Sequence, residues 1–125
     1  MTERGGSERD DTEQVPSGRE RGRDRLIEAA AELLQRPDVA LGRMFGSDGY
    51  SVGGKLFAFV ATSGDLVVKL PEGRIDELRL DNMVMRGRPM REWARVPYDR
   101  GVDEWRAMAG EACVFVDSLR SGQGG

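Results

Sequence analysis

Between Arg43 and Leu70 the chain reads RMFGSDGYSVGGKLFAFVATSGDLVVKL, an apolar run that glycine-bearing turns cut into strand-length pieces. Aromatic and β-branched residues at this density crowd a helix but suit a pleated surface, so a purely helical bundle is excluded. Gly53-Gly54 is a two-residue hairpin signal between apolar runs. The spacing predicts strands over Lys55 to Thr62 and Leu66 to Leu70, joined by a turn at Ser63-Gly64-Asp65. Upstream, Gly46 and Gly49 flank Ser47-Asp48, which predicts a bulge or sharp bend within one long strand over about residues 41 to 52. Strands joined by such short turns form an antiparallel meander.

Period-two alternation puts Leu56, Ala58 and Val60 on one face of the middle strand and Phe57, Phe59 and Ala61 on the other. Leu66 and Val68 likewise oppose Val67. Both faces are therefore apolar, where a sheet with one wet face would alternate cleanly. A cover is expected on each face, and Phe57 and Phe59 become candidate interface residues for a homodimer or a protein partner.

The flanks supply helices. Leu26, Ile27, Ala30, Leu33 and Leu34 recur at helical spacing from Asp24 until Pro37 ends the run. Pro71 opens a short helix to about Leu80, with Glu72 in its first turn and Ile75 and Leu78 as its inward stripe. Met83 to Met85 and Met90 to Val96 read as two further strands around a turn at Arg86-Gly87-Arg88-Pro89. Asp103 is a plausible N-cap for a last helix, along which Trp105, Met108, Ala109, Ala112, Phe115, Val116 and Leu119 form the strongest amphipathic pattern of the chain. The predicted order is α-β-β-β-α-β-β-α: an α+β two-layer sandwich with an antiparallel sheet of about five strands.

With 125 residues, 33% charged and 38% hydrophobic, there is material for one modest core. Residues 1 to 22 read as a disordered charged tail, 23 to 120 as the α+β domain, and 121 to 125 as a flexible C-terminus. The first twenty residues lack the apolar middle of a signal peptide, and no run reaches the roughly 18 apolar residues of a membrane helix, so the expected location is the cytoplasm. Without histidine, and with Cys113 as the single cysteine, there is no donor set for a zinc site, no internal disulfide and no histidine-based acid/base chemistry; no metal, cofactor or catalytic residue is expected. The net charge of −3 argues against clamping nucleic acid over the whole surface.

Three features together carry a family resemblance: Met44-Phe45-Gly46 ahead of a glycine hairpin, Leu66-Val67-Val68-Lys69, and Gly87-Arg88-Pro89-Met90-Arg91-Glu92-Trp93 ahead of Val96-Pro97. In order and spacing they resemble the N-terminal domain family of TfoX, the competence regulator, across about Arg25 to Leu119. The resemblance implies the α+β fold shared with the MmcQ/YjbR group. It also implies a regulatory role exerted through a protein partner, with DNA binding suggested for the relatives. The namesake carries a second domain after the last helix and no charged tail in front, and with these two differences the resemblance is expected to carry over the fold further than the competence role.

Independently of the resemblance, Arg86, Arg88, Arg91, Arg95 and Arg100 face only Glu92 and Asp99 between Met83 and Arg100. On a strand, Arg91, Trp93 and Arg95 share a face, and an aromatic ring between guanidinium groups can hold phosphates or stacked bases. The ordinary reading of the same residues is a core or interface tryptophan among solvated or paired arginines. Asp48 in its glycine-flanked bend is explained by turn chemistry, Asp76 and Glu77 by a solvated helix face, and Cys113 by a small buried side chain. The function expected is a non-enzymatic regulatory or protein-interaction module. The alternative is nucleic-acid binding through residues 86 to 95.

Overall fold

The computed structural model describes residues 18–44 and 47–124. In chain order the elements are α1 (Gly18–Ala29), a 3-10 turn (Leu33–Gln35), β1 (Val39–Met44), β2 (Ser47–Val52), β3 (Lys55–Val60) and β4 (Leu66–Lys69). Then follow α2 (Glu72–Leu78), β5 (Asp81–Met85), β6 (Arg88–Val96), a second 3-10 turn (Tyr98–Arg100) and α3 (Val102–Gly124). The six strands form one antiparallel sheet in the order β1-β2-β3-β4-β6-β5, so the protein is an α+β sandwich.

The sequence predicts five strands; the sixth comes from the stretch read as one kinked strand over residues 41 to 52. Instead of bending, the chain reverses there. Val39 pairs with Val52 and Met44 with Ser47, making β1 and β2 a hairpin. The glycine and Ser-Asp cluster marks the place correctly, but as the start of a returning strand rather than a kink. At Gly53-Gly54, φ values of 58° and 84° give the left-handed pair that a two-residue hairpin requires.

All three described helices lie on one side of the sheet. Leu26 of α1, Ile75 of α2, and Trp105, Met108, Ala109, Ala112 and Val116 of α3 join one buried cluster with Tyr50, Ala58, Val68 and Ala94. Those four strand residues form a single row, in register across β2, β3, β4 and β6. Arg74 of α2 pairs with Glu111 of α3 at 2.6 Å, tying the short helix beside the long one. No described helix packs on the opposite face, so the expected second cover is not there among the described residues.

The domain starts earlier than residue 23. Helix α1 begins at Gly18, so residues 18 to 22 belong to the fold, while the expected disorder of residues 1 to 17 lies outside the described residues. The early start comes from packing rather than propensity. A Cβ on Gly22 would stand 2.3 Å from the Gly64 carbonyl oxygen and 2.8 Å from Val60 Cγ1, so only glycine lets α1 lie this close to the β3–β4 turn. Gly22→Ala is therefore expected to cost about 1–3 kcal/mol by overpacking, read as a melting temperature lower by about 5–15 °C. Gly73→Ala in α2, where a Cβ meets open space, should be neutral or slightly stabilising. A Gly22→Ala variant as stable as the parent would refute the close approach. At the other end α3 continues to Gly124, into the segment expected to be flexible from residue 121.

Candidate functional site

The open face of the sheet is reached through two register faults, and the first lies in β3. Tyr50 pairs with Ala58 but Ser51 with Leu56, which leaves Phe57 as an extra residue. One inserted residue shifts the alternation by one, turning every side chain before it to the other face. Phe57 therefore enters the helix-side core beside Ala58, fully buried, with its ring 6.5 Å from that of Tyr50. Leu56, Phe59 and Ala61 line the open face instead. The expected Phe57 and Phe59 pair is thus split: Phe59 is on the candidate surface, whereas Phe57 is a core residue.

The second fault lies between β5 and β6. Asn82 pairs with Ala94 but Met83 with Met90, so Arg91, Glu92 and Trp93 have no partner on β5. Asn82 Nδ2 spans the gap by donating to the Met90 and Arg91 carbonyl oxygens at 3.1 and 3.0 Å. Trp93 itself is held from the other side, in register with Lys69 of β4. Beyond the gap the hairpin closes through Arg86 (φ 54°) and Gly87 (φ 77°). Met85 then lies opposite Arg88, and Met83 opposite Met90.

Together these faults form a groove of about 470 Å³. Its floor is Leu56, Phe59 and Trp93, the two rings 5.6 Å apart and tilted by 57°. Met83, Met85 and Met90 wall it on the hairpin side, while Val60, Ala61, Thr62 and Arg19 close the end at the β3–β4 turn. Residues of β3 and β5 are separated by two intervening strands, about 14 Å in a flat sheet, so one groove touching both requires the hairpin to curl over the face. Arg19 is the only charged residue of the lining, and its Nε is buried without a hydrogen-bond partner among the described residues. Met85 extends the apolar surface outward, 45% exposed.

The predicted arginine segment is divided by the same geometry. Arg95 shares the open face with Trp93, but its Nε is held by Asp65 Oδ2 at 3.3 Å, and Asp65 Oδ1 also accepts from the Tyr98 backbone N–H at 3.1 Å. Lys69 lies 5.5 Å above the Trp93 ring and 3.7 Å from Glu92 Oε1. Arg86, Arg88 and Arg91 are exposed and have no acidic partner among the described residues. Trp93 is therefore flanked by Phe59 and Lys69, not by two guanidinium groups.

The methionine wall was not singled out as a site in the sequence, although its signal was present. A two-residue turn at Arg86-Gly87 fixes the pairs Met85 with Arg88 and Met83 with Met90, and cross-strand partners share a face. Three methionines on one side of a hairpin follow from that register. Arg19 carried no signal, because it was read as part of the tail.

Cys113 is the remaining reactive group. It is fully buried on α3, with Arg36 Nη1 3.7 Å from its Sγ. Burial raises the thiol above its ordinary value, Arg36 opposes the rise, and Asp38 and Asp117 add to it. Arg36 is held protonated mainly by Asp38 and then by Asp117, at 2.8 and 3.3 Å. A raised thiol is a poor nucleophile at neutral pH. Because the unfolded thiol ionises near 9.0 and the folded one higher, its contribution to stability is complete below that value and is lost as pH rises through the folded pKa. Folded protein is expected to react with a thiol reagent at pH 8 at least about tenfold more slowly than protein in urea, and the fall in stability above about pH 9 should shrink in Cys113→Ala. Equal labelling rates in the two states would contradict this burial.

Among the described residues no three His, Cys, Asp or Glu side chains cluster as metal ligands would, and no helix is long and apolar enough to cross a membrane. No protein-family model matches the chain, and no curated protein matches it. The likeness to the TfoX N-terminal family therefore rests on the residues quoted for it, and the fold and groove define an α+β sandwich with one sheet face that no other described element covers.

Proposed function

We propose that this chain is a non-enzymatic, cytoplasmic interaction module of the regulatory kind implied by its resemblance to the TfoX N-terminal family, and that the open sheet face receives a protein partner. The observation that carries this reading is the groove on that face, floored by Phe59 and Trp93 and walled by three methionines. An apolar concavity of this size with few polar groups, here Arg19 and Thr62, is the ordinary form of a recognition site. Unbranched thioether side chains repack around a partner at small cost. The reading as non-enzymatic rests on the absence of histidine and on a single, buried cysteine.

Nucleic-acid binding has less support, since Arg95 is taken by Asp65 and the Trp93 ring packs against Phe59. The test is chemical crosslinking in the native cytoplasm with the intact chain and with Trp93→Ala, joined to light scattering of the purified protein. Protein adducts formed by the intact chain and lost in the variant support the reading. Identical adduct patterns, or binding to duplex or single-stranded DNA at about 50 mM salt where phosphate contacts are strongest, would overturn it.

A further inference from the structure

We propose that the occupant of the groove is an acidic amphipathic helix of a partner protein; this rests on the reading of the open face as an interaction surface and names what it takes. Two properties of the groove point there, its length and its charge.

The groove runs from Leu56 along β3 to Thr62, just past the end of the strand. Six extended residue steps span at most about 20 Å, which is the length of about 13 residues of α-helix. An extended peptide seeking backbone pairing along the floor would need a free strand edge there, and β3 has none, being paired to β2 and β4; the free edge of β5 lies at the rim, beyond the methionine wall. A helix needs only an apolar trough, into which side chains at i, i+3, i+4 and i+7 are placed. The Phe59 and Trp93 floor with a methionine wall is such a trough.

Charge is distributed unevenly around it. Away from the groove, Arg36, Arg74, Arg100 and Arg106 each hold a carboxylate. No carboxylate lines the groove, and both of its ends carry arginine without an acidic partner among the described residues. At the β3–β4 turn this is Arg19, with its buried, unsatisfied Nε. At the hairpin it is Arg88, which lies opposite Met85 and so on the same side as the methionine wall. Arg19 and Arg88 thus stand at the two ends of an apolar trough that no carboxylate of the described residues lines. A helix with apolar residues along one face and carboxylates toward both ends supplies the missing acceptors, and charge-assisted pairs of this kind set partner choice.

The probe is a fluorescein-labelled helical peptide of about 14 residues, with Leu and Phe at i, i+3, i+4 and i+7 and Glu near both ends, and a counterpart with Lys for every Glu. Polarisation is measured with the full chain in low salt. The acidic peptide is expected to bind at least about tenfold more tightly than the lysine peptide. Arg19→Met with Arg88→Met should lower its affinity about tenfold and leave the lysine peptide unchanged, with melting curves confirming that the variant folds. Equal affinity for the two peptides, or no effect of the double variant, overturns the acidic partner while leaving the groove as an interaction surface. Binding of neither peptide, with no change in tryptophan emission, overturns both readings. The proposal also falls if deletion of residues 1–17, with their acidic run from Glu8 to Glu13, raises peptide affinity about tenfold or more, because the chain itself would then be the occupant. It falls equally if light scattering finds a dimer that Trp93→Ala dissociates.

Discussion

Trp105→Ala is expected to remove most of the stability of this domain. The residue is fully buried where α3 meets the sheet, within the cluster that joins all three helices to the strands. Truncating a buried tryptophan costs about 3–5 kcal/mol, because the lost transfer energy is joined by the energy of the cavity left behind. Two specific contacts go with it. Its Nε1–H donates to the Pro97 carbonyl oxygen at 3.0 Å, and its ring meets that of Tyr98 edge-on at 5.9 Å. These hold the loop that carries β6 into α3. Arg25, stacked 3.6 Å over Tyr98 and donating to the Tyr98 carbonyl oxygen, loses its second ring neighbour as well. A domain of this length has about 5–10 kcal/mol in total, so the variant should be partly unfolded at 37 °C. Trp105→Phe keeps most of the volume and loses the hydrogen bond, at about 1–2 kcal/mol. Urea unfolding followed by far-UV circular dichroism separates the two, and a Trp105→Ala variant within about 1 kcal/mol of the parent would contradict the core as described.

The second and third helices and the β2–β3 and β3–β4 turns were legible in the sequence because their signals are local, whereas the first helix, expected from Asp24 to Pro37, runs from Gly18 to Ala29 and gives way to a 3-10 turn at Leu33–Gln35. Pro71, the paired glycines of the β2–β3 turn, and the apolar stripe from Trp105 to Val116 each act within a few residues, and each lies where predicted. Two kinds of information were not local. Whether Gly46-Ser47-Asp48-Gly49 bends a strand or precedes a returning one depends on whether Val39 to Met44 finds a partner, which is settled by pairing between strands. The face of Phe57 depends on a single inserted residue opposite Tyr50 and Ser51, and no property of KLFAFVAT reveals it. The site was half legible for the same reason. Trp93 and Phe59 were singled out by residue type, and the methionine wall was deducible from the Arg86-Gly87 turn. The groove exists only because β5 and β6 lose register at Asn82, which lets the hairpin reach over the face.

Trp93→Ala and Phe57→Ala should therefore have opposite consequences, although both replace large aromatic residues of the same sheet. Trp93 is half-buried on the open face, and its ring neighbours are Phe59 and Lys69 at 5.6 and 5.5 Å. Truncating it leaves a wider groove open to water rather than a sealed void, so the stability cost is about 1 kcal/mol. A partner seated on the floor of the groove loses its central aromatic contact, which at interfaces of this kind costs about 2–4 kcal/mol, or about 30- to 1000-fold in affinity. Phe57 is fully buried against Tyr50 on the helix side, where truncation costs about 3–5 kcal/mol of folding free energy. It belongs to the helix-side core and is not among the residues that line the groove, so the fraction of Phe57→Ala that remains folded should bind with nearly the parental affinity. Phe59→Ala provides the check within β3 itself: two positions along the strand from Phe57, it should behave like Trp93→Ala. Melting temperature and peptide affinity measured on the three variants give the comparison. If Phe57→Ala lost binding while keeping its stability, the inserted residue in β3 would be misplaced, and the open face would be the one that simple alternation predicts.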